Sequence, residues 1–238
     1  MWDNAPLLRG MASVLFFCSI VVILYGAAHY VVHLPTLLPI KNVRLANAPE
    51  RVVSDEVKAV VRQTVQGNFL TVDIDRLRRT LEKLPWVRHV SVRREFPNGL
   101  LVQFEEHQAL ARWNDSALVN KQGEVFVAAT TQSLPVFTGY EGTSAEVTQQ
   151  YERFGAQLAP LNLQVKQLAL SPRHAWQLRL SNDMVVELGR EALSQRLARF
   201  IAVYPYGLAP QGDAEREIQV VDMRYRNGYA VRRRHGNA

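Results

Sequence analysis

The sequence predicts an α+β protein that begins with a single N-terminal transmembrane helix, followed by a β-α-α-β-β domain and a mixed β-domain with flanking helices. Three observations predict this: a charge-free apolar stretch, alternating helix and strand patterns after it, and hairpin turns between strand patterns. The 238 residues suffice for one or two compact domains. A composition of 47% hydrophobic and 21% charged residues excludes a mainly disordered or collagen-like chain.

The apolar stretch from Met11 to Val32 is long enough to cross a bilayer. At about 1.5 Å per residue it forms a helix of roughly 33 Å, against a hydrocarbon core of about 30 Å. A cleaved signal peptide is the alternative, since Gly26-Ala27-Ala28 is a passable cleavage site. The apolar run continues beyond the length of a signal h-region, which favours an uncleaved anchor. Because large following domains translocate largely regardless of charge, we expect the tail 1–10 in the cytoplasm and the C-terminal bulk outside.

The net charge of +6 lies entirely beyond the span, because Arg9 and Asp3 before it cancel. An exported domain has little access to nucleic acid, so anionic lipid, cell-wall polymer and acidic protein surfaces remain as electrostatic partners. The one cysteine, Cys18, lies inside the span. The exported part therefore can form no disulfide within the chain.

The first exported unit, residues 38–107, has the element order β-α-α-β-β. Ser54 is predicted as an N-cap, although the valines after it also fit a strand. Asp73 begins a second helix that Pro85 ends, and Pro97-Asn98-Gly99 is a hairpin signal. The three strand patterns are Ile40–Leu45, Val87–Phe96 and Leu100–Phe104.

The second exported unit, residues 108–231, is dominated by strand patterns and precedes a basic tail at 232–238. One helix is predicted to start at Thr143, with Glu146 completing a capping box, and another to run from Glu191 to Tyr204 until Pro205. The strand patterns are Ala111–Trp113, Ala117–Val119, Glu124–Val127, Leu163–Leu170, Trp176–Leu180, Val185–Leu188, Ile218–Arg226 and Tyr229–Val231.

Motifs for catalysis are absent from the sequence. The six histidines include no pair at an i, i+4 zinc spacing alongside a carboxylate, and there is no Gly-x-Ser-x-Gly elbow or phosphate-binding glycine loop. Glu105 and Glu106 are adjacent in a predicted strand and point to opposite faces, while Asp73 and Asp75 are explained as helix-start residues. We therefore expect no enzyme, no cofactor, no metal site and no small-molecule substrate.

Several short sequence motifs resemble those of the FtsQ/DivIB family of bacterial cell-division proteins, and they occur in the same order as in the family. They are Leu84-Pro85-Trp86-Val87, Val90 to Pro97, Ala111-Arg112-Trp113-Asn114, Trp176-Gln177-Leu178, Leu188-Gly189-Arg190, Arg196 to Phe200 and Val221 to Tyr225. The resemblance implies a POTRA domain at 38–107 and an FtsQ-type β-domain at 108–231. It also implies a type II single-pass protein of the inner membrane at the division septum.

The resemblance implies a function without catalysis. Family members bind the membrane partners FtsB and FtsL in the divisome, link early and late division proteins, and help control septal peptidoglycan synthesis. Two other classes stay open from the residues alone. One is an envelope assembly or secretion factor that uses a POTRA domain to bind polypeptides, although such proteins usually carry tandem POTRA units or a membrane β-barrel. The other is an anchored peptidoglycan-acting enzyme.

The resemblance also implies two protein-binding surfaces. In the family an FtsB segment adds as a strand to the last edge of the β-domain, where main-chain groups supply affinity. The matching residues here are Arg173, Arg224, Tyr225, Asn227, Gly228 and Val231. The second surface recruits the protein through its POTRA domain, and its residues match Val92, Arg94 and Glu106.

Without the resemblance, the residues of the first surface are better interpreted as a hairpin tip with a solvated, charged face. Val92 is then better interpreted as a structural residue at the edge of the core. The chain also departs from the family beyond the last strand, where Arg232-Arg233-Arg234 replaces an aromatic residue. These arginines leave open a contact with acidic partner residues or with lipid head groups.

Overall fold

The computed structural model describes residues 5–34, 36–47, 49–209 and 218–233, and it divides the chain into two compact units between Glu106 and His107. The architecture is α+β, with an N-terminal apolar helix, a β-α-α-β-β unit and a mixed sheet with helices, as the sequence predicts.

Helix α1 spans Ala5–Val32 and includes the predicted transmembrane segment. The candidate membrane span within it runs from Arg9 to Val32, and an 18-residue window of this span has a mean hydropathy of 2.3. The hydroxyls of Ser13 and Ser19 donate to the carbonyl oxygens four residues earlier, at 2.9 and 2.8 Å. These bonds satisfy the two serine hydroxyls within the helix itself, so the exposed surface of α1 is suited to a lipid environment.

The first unit has a three-stranded sheet in the order β1-β3-β2, with β1 parallel and β2 antiparallel to β3. The predicted hairpin joins β2 and β3, pairing Glu95 with Gly99. The elements are β1 (Asn42–Leu45), α2 (Ser54–Thr64), α3 (Ile74–Leu81), β2 (Val87–Glu95) and β3 (Gly99–Glu106).

The two helices of this unit begin differently. Asp73 caps α3 as predicted, its carboxylate accepting from the amide of Arg76 at 2.8 Å. The predicted N-cap at Ser54 is wrong by one residue, because the carbonyl of Val53 already accepts from the amide of Val57 at 3.2 Å. The valines that also fitted a strand are helical, since α2 buries Val57 against the unit while its acidic first turn favours the helix dipole.

The second unit contains one nine-stranded sheet in the order β12-β11-β10-β9-β8-β7-β4-β5-β6. Its strands are β4 (Ala109–Trp113), β5 (Ala117–Asn120), β6 (Val125–Phe126), β7 (Val136–Thr138), β8 (Val165–Leu170), β9 (Trp176–Leu180), β10 (Val185–Gly189), β11 (Ile218–Asp222) and β12 (Ala230–Arg233). Its helices are α4 (Ser144–Leu158) and α5 (Leu193–Val203).

The core of this unit lies between the sheet and its two helices, where α4 contacts β8 and α5 contacts β10. Phe154 of α4 and Phe200 of α5 are fully buried. The Phe154 ring meets Trp176 of β9 edge-on, with the centroids 6.1 Å apart. These aromatic side chains bury large apolar areas, and they make the sheet a rigid support for its outer strands.

Three features of the second unit differ from the sequence predictions. The capping box at Thr143 is wrong, since its hydroxyl donates to the carbonyl of Tyr140 at 2.6 Å and makes no side-chain cap. Pro205 does not end the helical stretch, because a π-type turn at Tyr204–Leu208 includes it. The strand predicted to reach Arg226 ends at Asp222, where the chain turns into a loop.

The last strand also begins and ends later than predicted. Arg232 and Arg233, which the sequence assigns to a terminal tail, lie in β12 and pair with Val220 and Ile218. Arg234 lies outside the described residues.

Candidate functional site

Strand β12 is one outer strand of the large sheet. It pairs antiparallel with β11, Val231 lying opposite Val221, and all four of its residues are exposed. Among the residues that the structure describes, no strand pairs with its other side. An unpaired strand edge presents a row of free main-chain donors and acceptors, so β12 is suited to accept a further strand.

The loop between β11 and β12 and the strand β12 itself expose large hydrophobic side chains at this edge. Tyr225 is 57% exposed, and Tyr229 and Val231 are each 41% exposed. The loop is anchored at its start and in its middle. Met223 is buried and its amide donates to the main-chain carbonyl of Glu187, while the Arg199 guanidinium donates to the carbonyl of Arg226. These two bonds fix the backbone of the loop that carries Tyr225.

Arg224 is engaged within its own chain. Its Nε and Nη2 donate to the two carboxylate oxygens of Asp222, at 2.9 and 2.6 Å, and Nη2 also lies 3.2 Å from Glu187. The bidentate hydrogen bond lowers the pKa of Asp222 below its ordinary value of 3.8 and raises that of Arg224. Because the pKa of Asp222 is lowered in the folded state, this pair stabilises the fold above that value and its contribution is lost in acid.

Arg173 is placed quite differently from Arg224. It lies in the tight turn between β8 and β9, closed by the amide of Ser171 donating to Ala175 at 2.9 Å. It is exposed, and within the described part of the chain no carboxylate pairs with it. Arg173 is thus a solvated cation that is available to an acidic ligand.

A groove of about 550 Å³ separates the Ser171–Ala175 turn from Arg224. Trp176 and Tyr140 contribute aromatic walls, and the hydroxyl of Tyr140 lies 2.6 Å from Nε2 of His174. Glu187 and Arg224 close one side. An apolar side chain with a polar end fits such a lining, and Arg224 links the groove to the loop that leads into β12.

Asn227 and Gly228 lie in the exposed loop rather than in a strand. A Cβ placed on Gly228 would meet no atom within 4 Å, and the backbone φ of this glycine is not in the left-handed region. The loop therefore does not itself require glycine at this position, and the role of Gly228 in partner binding, which the resemblance implies, stays a prediction.

The predicted recruitment residues of the first unit do not form one cluster. Arg94 lies opposite Leu100 near the hairpin, whereas Glu106 lies opposite Val87 at the other end of β3. The two positions are six residues apart on β3, or about 20 Å at ~3.4 Å per residue. Val92 lies opposite the buried Val102 and is half-buried.

Arg94 and Glu106 both bind main-chain groups of their own unit. Arg94 donates to the carbonyls of Phe69, Leu70 and Val72, at 2.8, 3.4 and 3.1 Å. The Glu106 carboxylate accepts from the consecutive amides at 50, 51 and 52, at 3.2, 3.0 and 3.0 Å. Such charge-assisted bonds fix the two loops that flank α2, so these side chains position backbone in the unit.

Gly189 is a residue of this site that the sequence reasoning did not single out. It has a φ of +72°, and a Cβ there would lie 2.8 Å from Arg196 Nη1 and 3.1 Å from Arg224 Cγ. The side chain of Arg224 therefore passes across Gly189. The sequence feature that could have indicated this residue is the Leu188-Gly189-Arg190 motif at the end of a strand pattern.

Replacing Gly189 by alanine is expected to lower the free energy of unfolding by about 1–3 kcal/mol, through left-handed strain and displacement of the two arginines. Gly155 is the matched control, because it lies in α4 and a Cβ there meets nothing within 4 Å. Gly155→Ala should be neutral or slightly stabilising. Urea unfolding of both variants checks this, and equal midpoints would contradict the expectation.

Within the described residues, no group of three or more His, Cys, Asp and Glu side chains could hold a metal ion. The chemistry of the site is thus that of a binding surface: an open strand edge, exposed aromatic residues, a solvated cation and a lined groove.

Both units match models of known protein families. The family model described as "Cell division protein FtsQ/DivIB, C-terminal" matches residues 111–224, and the FtsQ-type POTRA domain model matches residues 38–107. "Cell division protein FtsQ" of Nitrosospira multiformis is 42% identical over 98% of this chain and 99% of its own length. The proteins of the same name from Burkholderia pseudomallei and Escherichia coli K12 are 37% and 34% identical, covering 98% and 82% of this chain and 94% and 72% of their own.

Proposed function

This chain belongs to the FtsQ/DivIB family of non-enzymatic cell-division proteins, and we propose that it binds FtsB and FtsL as a scaffold of the divisome. In this role it links early and late division proteins and helps control septal peptidoglycan synthesis. Helix α1 anchors it in the inner membrane at the septum, with the N-terminus in the cytoplasm and both units in the periplasm.

The open edge of β12 is the observation that carries this proposal. A partner segment adds to it as a further strand, and the main-chain groups of β12 supply the affinity without regard to sequence. Tyr225 and Tyr229 beside the edge supply the aromatic contact that commonly dominates binding energy at interfaces.

The charges near the edge favour an acidic partner segment. Arg232 and Arg233 are exposed on β12 itself, and Arg173 is solvated at the far side of the groove. Arg224, in contrast, is neutralised by Asp222 and Glu187. We therefore assign to Arg224 the task of shaping the groove wall, and to the other three arginines the electrostatic attraction and steering of FtsB.

A double variant tests this assignment. Arg173→Glu combined with Tyr225→Ala is expected to weaken capture of FtsB and FtsL by the full-length chain about 100-fold, since it reverses a solvated charge and removes an aromatic contact. Arg153→Glu with Tyr206→Ala is the matched control, because both residues are exposed elsewhere in the second unit. Co-purification from detergent measures capture, and circular dichroism verifies folding.

The same pair of variants is informative in cells. Depletion of the wild-type chain should give filaments that the control variant rescues and the double variant does not. Normal capture of both partners by the folded double variant would show that the proposed binding site is wrong.

A further inference from the structure

The end of helix α1 is tied to the first periplasmic unit by one buried side chain. Asn68 is fully buried, and its Nδ2 donates to the carbonyls of Val32 and Leu34 at 2.6 and 3.0 Å. Its Oδ1 accepts from the amides of Leu70 and Thr71, at 2.9 and 3.0 Å. The loop that follows α2 is thus bonded directly to the point where the helix stops.

The β2–β3 hairpin lies beside the same point. The amide of Phe69 donates to the carbonyl of Leu38 at 3.0 Å, and the amide of Lys41 donates to Asn98 in the hairpin turn at 2.9 Å. The ring of Phe96, at the end of β2, meets the Phe69 ring edge-on with centroids 6.2 Å apart. Both the loop and the hairpin tip are therefore held next to the end of the transmembrane span.

This region exposes apolar side chains that the unit itself does not cover. Phe96 is 80% exposed and Leu70 is 48% exposed. Lys41, on the segment that joins α1 to β1, is exposed as well. We call Lys41, Leu70 and Phe96 the juxtamembrane patch.

The length of the span sets the depth of this patch. The 24 residues from Arg9 to Val32 form a helix of about 36 Å at ~1.5 Å per residue, against a hydrocarbon core of about 30 Å. The carbonyls of Val32 and Leu34 therefore lie at or just beyond the edge of the hydrocarbon. Side chains bonded to them or adjacent to those bonds lie at the level of the lipid head groups.

We propose that the juxtamembrane patch is a second membrane contact, in which Phe96 and Leu70 insert into the head-group region of the outer leaflet and Lys41 meets lipid phosphates. Transfer of aromatic and apolar side chains from water to this level is favourable, and a lysine extends its ammonium group to the interface. We assign the bilayer as the occupant because the patch lies next to the end of the span, and the proposed anchoring role of α1 already places that span in lipid.

The contact adds a constraint that a single helix cannot provide. A helix alone anchors the first unit but leaves it free to tilt, whereas a helix, a loop and a hairpin tip touching one surface fix its orientation. The first unit is therefore held at a defined angle to the membrane.

Site-directed spin labels on the full-length chain test the proposal. With Cys18→Ser as background, single cysteines at Phe96→Cys and Leu70→Cys are labelled in nanodiscs of phosphatidylethanolamine and phosphatidylglycerol. Val127→Cys is the matched control, since Val127 is 76% exposed in the second unit. At 96 and 70 we expect several-fold higher accessibility to oxygen relative to a nickel chelate than at 127.

Each other outcome overturns the proposal. Nickel accessibility at 96 and 70 equal to that at 127 places the patch in water. Low accessibility to both reagents places it inside protein. Protection that appears only after FtsB and FtsL are added identifies a protein as the occupant. The measurements at 96, 70 and 127 are first made on the chain without partners, so their result does not depend on whether β12 binds FtsB.

Discussion

Two proline variants at adjacent positions of β12, compared with each other, are expected to show that partner capture can be lost while folding is kept. Successive N–H groups of a strand point to opposite edges, so those of Val231 and Arg232 face opposite sides of β12. One of the two variants removes a hydrogen bond to β11, and the other removes a donor only from the open side. Val231→Pro and Arg232→Pro therefore form a matched pair.

The variant that loses only the outward donor should keep the melting temperature of the wild type and lose FtsB capture by about 100-fold or more. Its counterpart should lose β12 pairing and melt at a lower temperature. Thermal unfolding and co-purification of the full-length chain measure both properties. Full capture by the variant with unchanged melting would show that the partner does not add to this edge.

Asn68→Asp should strongly destabilise the first unit. The change replaces the Nδ2 donor by an oxygen facing the carbonyls of Val32 and Leu34, in a site with no solvent exposure. Two acceptors then face a buried carboxylate, and the expected cost is about 3 kcal/mol or more. Asn68→Ala, which loses the bonds without adding charge, should cost less.

The penalty of Asn68→Asp should also depend on pH. Burial raises the pKa of the new carboxyl in the folded state, so the protein is least destabilised while that carboxyl is protonated and loses stability as the pH rises above about 4. Asn42→Asp, at an exposed position of β1, is the control and should have little effect. Hydrogen exchange of the Leu70 and Thr71 amides in nanodiscs reports the loss, and unchanged protection in Asn68→Asp would contradict the role assigned to Asn68.

Much of the fold follows from local patterns. The span, the Pro97-Asn98-Gly99 hairpin, the cap at Asp73 and strand β9 at Trp176–Leu180 are found where the sequence predicts them. Strand β7, with three residues, was not recognised as a strand. It pairs in parallel with β4 and β8, and such long-range pairing leaves no local turn signal.

The chemistry of the candidate site was less predictable than its position. The loop and edge are indicated by motifs that resemble a family, but the pairing of Arg224 is not. Its main partner, Asp222, is two residues away, and its second partner, Glu187, is brought near only by the folded β10–β11 pairing. Similarly, Arg94 binds carbonyl oxygens, which every residue possesses. A sequence shows which side chains are charged, but not which main-chain groups will neutralise or orient them.

The parallel pairing of β10 with β11 has a consequence for the order of folding. These strands are separated by α5, so their pairing closes a longer loop than a hairpin does, and we expect it to form more slowly. Since β12 pairs with β11, the open edge is expected among the last elements to form. Under the proposed function, a chain with an incomplete core would lack the docking strand, so partner binding would select molecules whose second unit has finished folding.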